Sequence, residues 1–226
     1  MVDKITKEEL KQPDKLQVLF GDVMKTITQH RKEMVIAVVA VICIGLAATG
    51  WYFYRQNEER NASTLYNKAS EEYNASRASG KDPAAVIKLF TEVDAKYSGT
   101  QAAAFAAYRL GNLNLNRGNT DEAIKWYRKY LNDRSEDNEL RLLVLNGLGY
   151  CYEAKKDYKN ALIYFEKSAA GKAGVNFASM TYDNIGRIYE AMNDPKKALE
   201  NYKKALEKAA DPGTKELLNR KIASLG

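Results

Sequence analysis

The chain has 226 residues, 45% of them hydrophobic and 28% charged, with a formal net charge of +6. Its 35 Lys and Arg are interspersed with 29 Asp and Glu rather than gathered into basic runs with interleaved aromatics, a pattern of solvated surface that argues against nucleic-acid binding. One histidine, His30, and two widely separated cysteines, Cys43 and Cys151, argue against a transition-metal site and leave the redox compartment open.

Residues 1–12 are polar, and Pro13 and Asp14 punctuate the chain after them. Leu16, Leu19, Phe20, Val23, Met24 and Ile27 then recur at three- and four-residue spacing, one apolar stripe of an amphipathic helix. The stripe suits a surface helix running toward the next segment, a helix lying on a membrane, or one docking on a partner.

From Val35 to Tyr54 the sequence reads VIAVVAVICIGLAATGWYFY, twenty residues without a charge. A helix of that length spans roughly 30 Å, the thickness of a bilayer's hydrocarbon core. A cleaved secretory signal has a short basic start and an apolar core of roughly 7–15 residues. Here 34 residues precede a longer core that closes in Trp51, Tyr52, Phe53 and Tyr54, an interfacial aromatic belt. The expectation is a transmembrane anchor. Lys25, Arg31 and Lys32 lie just before it, whereas Arg55 and Arg60 after it are offset by Glu58 and Glu59. That asymmetry predicts a cytoplasmic N-terminus and a translocated C-terminal domain.

The remainder, 55–226, is helical and repetitive. Gly111, Gly149 and Gly186 each follow an aliphatic residue: Leu110, Leu148 and Ile185. Twelve residues beyond each glycine stands an alanine (Ala123, Ala161, Ala198), and four further an aromatic (Tyr127, Phe165, Tyr202). Two antiparallel helices that cross closely need small residues, so Gly and Ala are expected to let the backbones approach while the aromatic fills space toward the next unit. Turn signals fall between the helices at Arg117-Gly118-Asn119, Lys156-Asp157 and Asn193-Asp194-Pro195, with Pro195 suited to a first helical turn and Asp194 to its cap. Residues 61–97 read as a degenerate first unit whose second helix starts at Asp82-Pro83. Residues 214–225 read as a cap helix with Leu217, Leu218, Ile222 and Leu225 as its apolar face. The predicted fold is all-α: segment 1–34, span 35–54, and a helical-hairpin solenoid over 55–226 of about four pairs plus the cap.

These units resemble the tetratricopeptide repeat, in which aliphatic-Gly, Tyr, Ala, aromatic, Ala and Pro recur. The unit at Gly186 carries Tyr189, Ala198, Tyr202, Ala205 and Pro212. The unit at Gly149 carries Tyr152, Ala161 and Phe165, and the unit at Gly111 has Asn114 in place of Tyr. The layout also resembles the YfgM-like group of bacterial inner-membrane proteins, through the anchor closing in Trp51-Tyr52, the Ala-rich first unit, and Lys221-Ile222-Ala223-Ser224-Leu225. That resemblance implies a periplasmic repeat domain, an accessory role beside the SecYEG translocon, and chaperones such as PpiD as partners.

Enzyme chemistry finds no support. There is no histidine beyond His30 for acid–base work, no phosphate-cradling Gly-rich loop, and no nucleophile with a local base. No catalytic residue, metal or cofactor is therefore expected. Asn61-Ala62-Ser63 and Asn74-Ala75-Ser76 match glycosylation acceptors, relevant only in an endoplasmic reticulum. Binding is the expected chemistry, because the first helices of stacked pairs line a groove. Counted outward from the glycines, its candidates are Phe105, Tyr108, Asn112, Leu115, Asn146, Tyr150, Met180, Asp183 and Arg187. Amides and aromatics of this kind suit an extended peptide, and about half of the nine are expected to pack inside instead. The reading is a membrane-anchored interaction module for protein translocation or periplasmic folding. The alternative is a structural scaffold for pilus or outer-membrane assembly.

Overall fold

The computed structural model describes residues 21, 24–25, 28–80, 82–134, 138–171 and 177–226. Apart from Met24, which is exposed, the predicted N-terminal stripe lies outside them. The helices are α1 (Arg31–Ser79), α2 (Ala84–Lys96), α3 (Gln101–Asn116), α4 (Thr120–Asp133), α5 (Glu139–Ala154), α6 (Tyr158–Ala169), α7 (Ala178–Ala191), α8 (Pro195–Lys208) and α9 (Pro212–Leu225). The chain divides into two compact units, residues 1–57 and 58–226.

In the first unit, α1 carries the apolar stretch, and every side chain from Arg31 to Asn57 is exposed. The helix is long and apolar enough to cross a membrane. With no carbonyl left unpaired inside a helix, such a segment meets hydrocarbon without exposing backbone dipoles.

The second unit is a solenoid of helix pairs, its first helices being the end of α1, then α3, α5 and α7, and its second helices α2, α4, α6 and α8. Four successive hydrophobic clusters form the core. One gathers Ala62, Ala69, Phe90 and Leu110; the next Ala107, Ala123, Tyr127 and Leu148; the third Ala161, Phe165, Ile185 and Ile188; the last Ala198, Tyr202 and Leu218.

The repeated glycines make room for rings. A Cβ built on Gly149 would lie 2.5–2.7 Å from three Phe165 ring carbons, and one on Gly186 would lie 2.6 Å from two carbons of Tyr202. Tyr127 is wedged against both Gly111 and Gly147, the latter a glycine of the next unit outside the repeated spacing. The expected role of the glycine changes accordingly: it seats the aromatic of its own hairpin rather than bringing two backbones together. The alanines Ala123, Ala161 and Ala198 are fully buried.

The turns inside the three units share one geometry. Gly118, Lys156 and Asn193, each seven residues past its glycine, take φ of 77°, 59° and 61°. The N–H of the following residue reaches back five residues, Asn119 to Asn114 O at 2.9 Å, Asp157 to Tyr152 O at 2.8 Å and Asp194 to Tyr189 O at 2.9 Å. This is a Schellman closure, which satisfies carbonyls left free at a helix C-terminus. Asp157 and Asp194 then cap the next helices, accepting from the N–H of Asn160 and Lys197 at 3.2 and 3.1 Å. Asp194 precedes Pro195 at the helix start, as expected.

Glu59, from α1, spans 42 residues to cap α3: its carboxylate accepts from the N–H of Gln101 at 2.8 Å and of Ala102 at 3.1 Å. Thr100 accepts from Ala103 N–H, so a full turn of donors is satisfied. At the other end, α9 buries Leu218 and packs Ile222 and Leu225 against the last cluster. Leu217, expected on that apolar face, instead stands 48% exposed.

Candidate functional site

The nine candidate residues fall on one stripe of α3, α5 and α7. Relative to each glycine they occupy positions six and three before and one and four after, the spacing of one helical face. Phe105 and Met180, six before Gly111 and Gly186, are both 37% exposed. Leu143 stands in the same register on α5 and is half-buried, and Leu217 follows Met180 by the same 37-residue step on α9. Four alternate helices, α3, α5, α7 and α9, thus present an apolar side chain at one level. A cavity of about 630 Å³ lies between Phe105 and Leu143, completed by Gln101, Ala104, Arg134 and Leu140. A second of about 630 Å³ lies between Met180 and Leu217, completed by Asp183, Ala209, Thr214 and Leu218.

The next levels are polar and already linked. Tyr127 donates its hydroxyl to the Asn112 side-chain oxygen at 2.5 Å, and its ring centroid is 6.5 Å from that of Tyr108. Burial pushes the Tyr127 phenol well above the usual tyrosine range, so it remains a donor. Leu115 is half-buried against the second core cluster. Asn146 is 2% exposed and donates to Leu142 O at 3.0 Å and to the Ser168 hydroxyl at 2.7 Å, so it lies inside the array.

Between α5 and α7 a polar ladder fixes the surface. Asn184 donates to the Tyr150 hydroxyl at 2.7 Å. Arg187 donates to the Asn184 side-chain oxygen at 3.1 Å, pairs with Glu153, and lies 5.8 Å from the Tyr150 ring centroid. Tyr150 meets Phe165 edge-on at 5.3 Å, and burial raises its phenol pKa. Lys221 of α9 donates to Asp183 at 2.5 Å. A face whose side chains hold one another presents a fixed surface, which lowers the ordering cost of binding.

Sequence reasoning missed Leu143 and Glu153, which the glycine register could have found, since Leu143 matches Phe105 and Glu153 matches Leu115. It also missed Asn184, which lies off the counted positions and is identified by its contacts. Among the described residues no group of three His, Cys, Asp or Glu could hold a metal. The arrangement offers apolar sockets and a fixed polar edge.

The chain is similar to lipopolysaccharide assembly protein B of Escherichia coli strains K12 and O157:H7, with 28% identity over 158 residues. That match covers 68% of this chain and 39% of the relatives' length. Among solved structures it resembles BtubC from P. vanneervenii, with a TM-score of 0.60, 14% identity and coverage of 76% of this chain and 82% of that one. It also resembles the TPR-like repeats of a Podosopora anserina kinesin light chain, with a TM-score of 0.59, 14% identity and coverage of 74% and 86%. These likenesses concern the fold. Residues 27–226 match the family model described as a tetratricopeptide repeat-like domain, and the chain belongs to that family of protein-interaction scaffolds.

Proposed function

We propose that this chain is a membrane-anchored scaffold that binds extended segments of envelope proteins along its first helices. The observation that carries the reading is the apolar row Phe105, Leu143, Met180 and Leu217, with a 630 Å³ cavity on either side of its middle gap. Packed helices repeat at about 8–10 Å, and an extended peptide in the polyproline-II conformation advances about 3.1 Å per residue with about three residues per turn. Apolar side chains at every third residue would therefore share one face and fall into successive sockets. The α1 apolar segment anchors the scaffold in a bacterial inner membrane, N-terminus in the cytoplasm and repeats in the periplasm; the Lys and Arg before Val35 support that orientation.

Similarity to lipopolysaccharide assembly protein B favours an envelope-assembly client. The combination of an apolar N-terminal helix, repeats and a short terminal helix supports a second reading, an accessory to the SecYEG translocon working with chaperones such as PpiD. Photo-crosslinking in cells tests both. A photoreactive amino acid at positions 105, 143, 180 or 217 should capture partners, and one at Lys125 or Lys159 should not. Capture of assembly proteins supports the first client class and capture of SecYEG or PpiD the second. Capture only from positions 125 and 159 refutes the groove.

A further inference from the structure

The first-helix face does not end at Phe105. Its ring centroid lies 6.1 Å from that of Tyr66 on α1. Tyr66 is a polar neighbour of Arg109, and the Arg109 guanidinium lies 5.6 Å from the centroid of Tyr73. A second guanidinium, Arg77, lies 5.7 Å from the same centroid. Tyr73 stands 38 residues before Gly111, the position that a glycine fills in the next units, so an aromatic platform replaces a ring seat there. Neither arginine pairs with a carboxylate among the described residues, whereas Arg187, Lys221 and Lys129 elsewhere in the array each do. Arg77 and Tyr73 also line a cavity of about 320 Å³ floored by Pro83 and Leu113, with Arg117 at its edge 3.4 Å from Asp82.

From this placement we infer that Arg77, Arg109 and Tyr73 form a recognition site for an acidic segment of a client, with Tyr66 and Phe105 receiving an adjacent apolar side chain. The reasons are charge and geometry. A guanidinium beside a ring has five N–H donors, more than the ring or one neighbouring hydroxyl can use, and a planar fork that matches a carboxylate bidentately. Two cations beside one ring, neither held by a carboxylate among the described residues, leave a local positive charge that a carboxylate would complement. The inference rests on the proposed peptide-binding reading and adds the charge of the ligand and the end of the groove that reads it.

The test uses the full chain in nanodiscs and two fluorescein-labelled peptides, one alternating Asp or Glu with Leu and Phe, the other with Asn or Gln in place of the acids. The acidic peptide should bind about tenfold more tightly at about 50 mM salt, with the advantage shrinking at about 500 mM. The Arg77→Glu, Arg109→Glu variant should lose that advantage and prefer a peptide carrying Lys in place of the acids. Arg77 is exposed, so Arg77→Glu alone should show the same direction with the helix content unchanged. Equal binding of the acidic and amide peptides, or an unchanged preference in the variants, overturns the inference. If binding remains sensitive to Phe105→Ser in that case, the peptide-binding groove survives without it. If neither peptide binds, both fail. Full displacement of the acidic peptide by inorganic phosphate identifies a phosphate site and also overturns it.

Discussion

Gly149→Ala adds one methyl group at the tightest point of the middle repeat. The new Cβ would lie 2.5, 2.6 and 2.7 Å from Phe165 Cε1, Cζ and Cδ1, well inside van der Waals contact. The ring cannot retreat easily. It is fully buried among Ala161, Ile185 and Ile188, with Tyr150 edge-on against it. Alanine gains roughly 0.5–1 kcal/mol over glycine in a helix interior. Overpacking a filled core costs about 1–3 kcal/mol. Because the ring is boxed in, the cost is about 2–3 kcal/mol, the upper part of that range, and the net loss is about 1–2.5 kcal/mol. For a domain of this size that lowers the melting temperature by about 2–10 °C. The assay is urea and thermal unfolding of residues 58–226 followed by far-ultraviolet circular dichroism. Phe165→Leu in the same background should relieve part of the strain, so the double variant should lose at least about 0.5 kcal/mol less than the sum of the two singles. A Gly149→Ala protein as stable as the parent, or strict additivity, would refute the claim that the glycine exists to seat the ring.

Lys156 holds φ of 59° in a position that Gly118 fills in the preceding unit. Lys156→Gly should therefore raise stability by about 0.5–1 kcal/mol, the relief of left-handed strain offset by glycine's freedom in the unfolded chain; a lower melting temperature would show that the side chain matters more than the backbone. Cys151 is fully buried, and burial pushes its thiol up to about 12 from an ordinary 9. Since the folded value is the higher one, its contribution to stability is complete below pH 9 and lost as pH rises toward 12. Residues 58–226 should resist a thiol reagent at pH 8 until unfolded by guanidinium, and Cys151→Ser should flatten the decline in stability between pH 9 and 12. Labelling of the native protein as fast as the unfolded one would contradict that burial.

The sequence by itself determined the units and their joints. Gly149 and Phe165 are sixteen residues apart within one hairpin, and the left-handed residue, the backward N–H bond and the Asp cap at Asp157 are contained in a few consecutive positions. Interactions of such short reach leave the same spacing in every repeat, so the units and turns are legible without any fold, although that the glycine seats the ring is seen only in the structure. The uncharged run from Val35 to Tyr54 is legible for the same reason, since hydropathy belongs to a segment and not to its neighbours.

What only the tertiary structure decided are the contacts between units. Asn146, Tyr150 and Arg187 share one helical stripe, yet Asn146 is buried by Ser168 while Arg187 remains at the surface holding Glu153. Leu217 reads as cap core by its spacing and is exposed because α9 turns Leu218 inward. Gly147 lies outside the repeated spacing and still seats Tyr127 from the previous hairpin. Glu59 closes the start of α3 from 42 residues away, and Tyr73 gathers Arg77 and Arg109 from two different helices. A period of 3.6 fixes which residues share a face, but the depth to which that face sinks depends on the rotation and approach of a neighbouring helix, and those are set by the packing of side chains far apart in sequence.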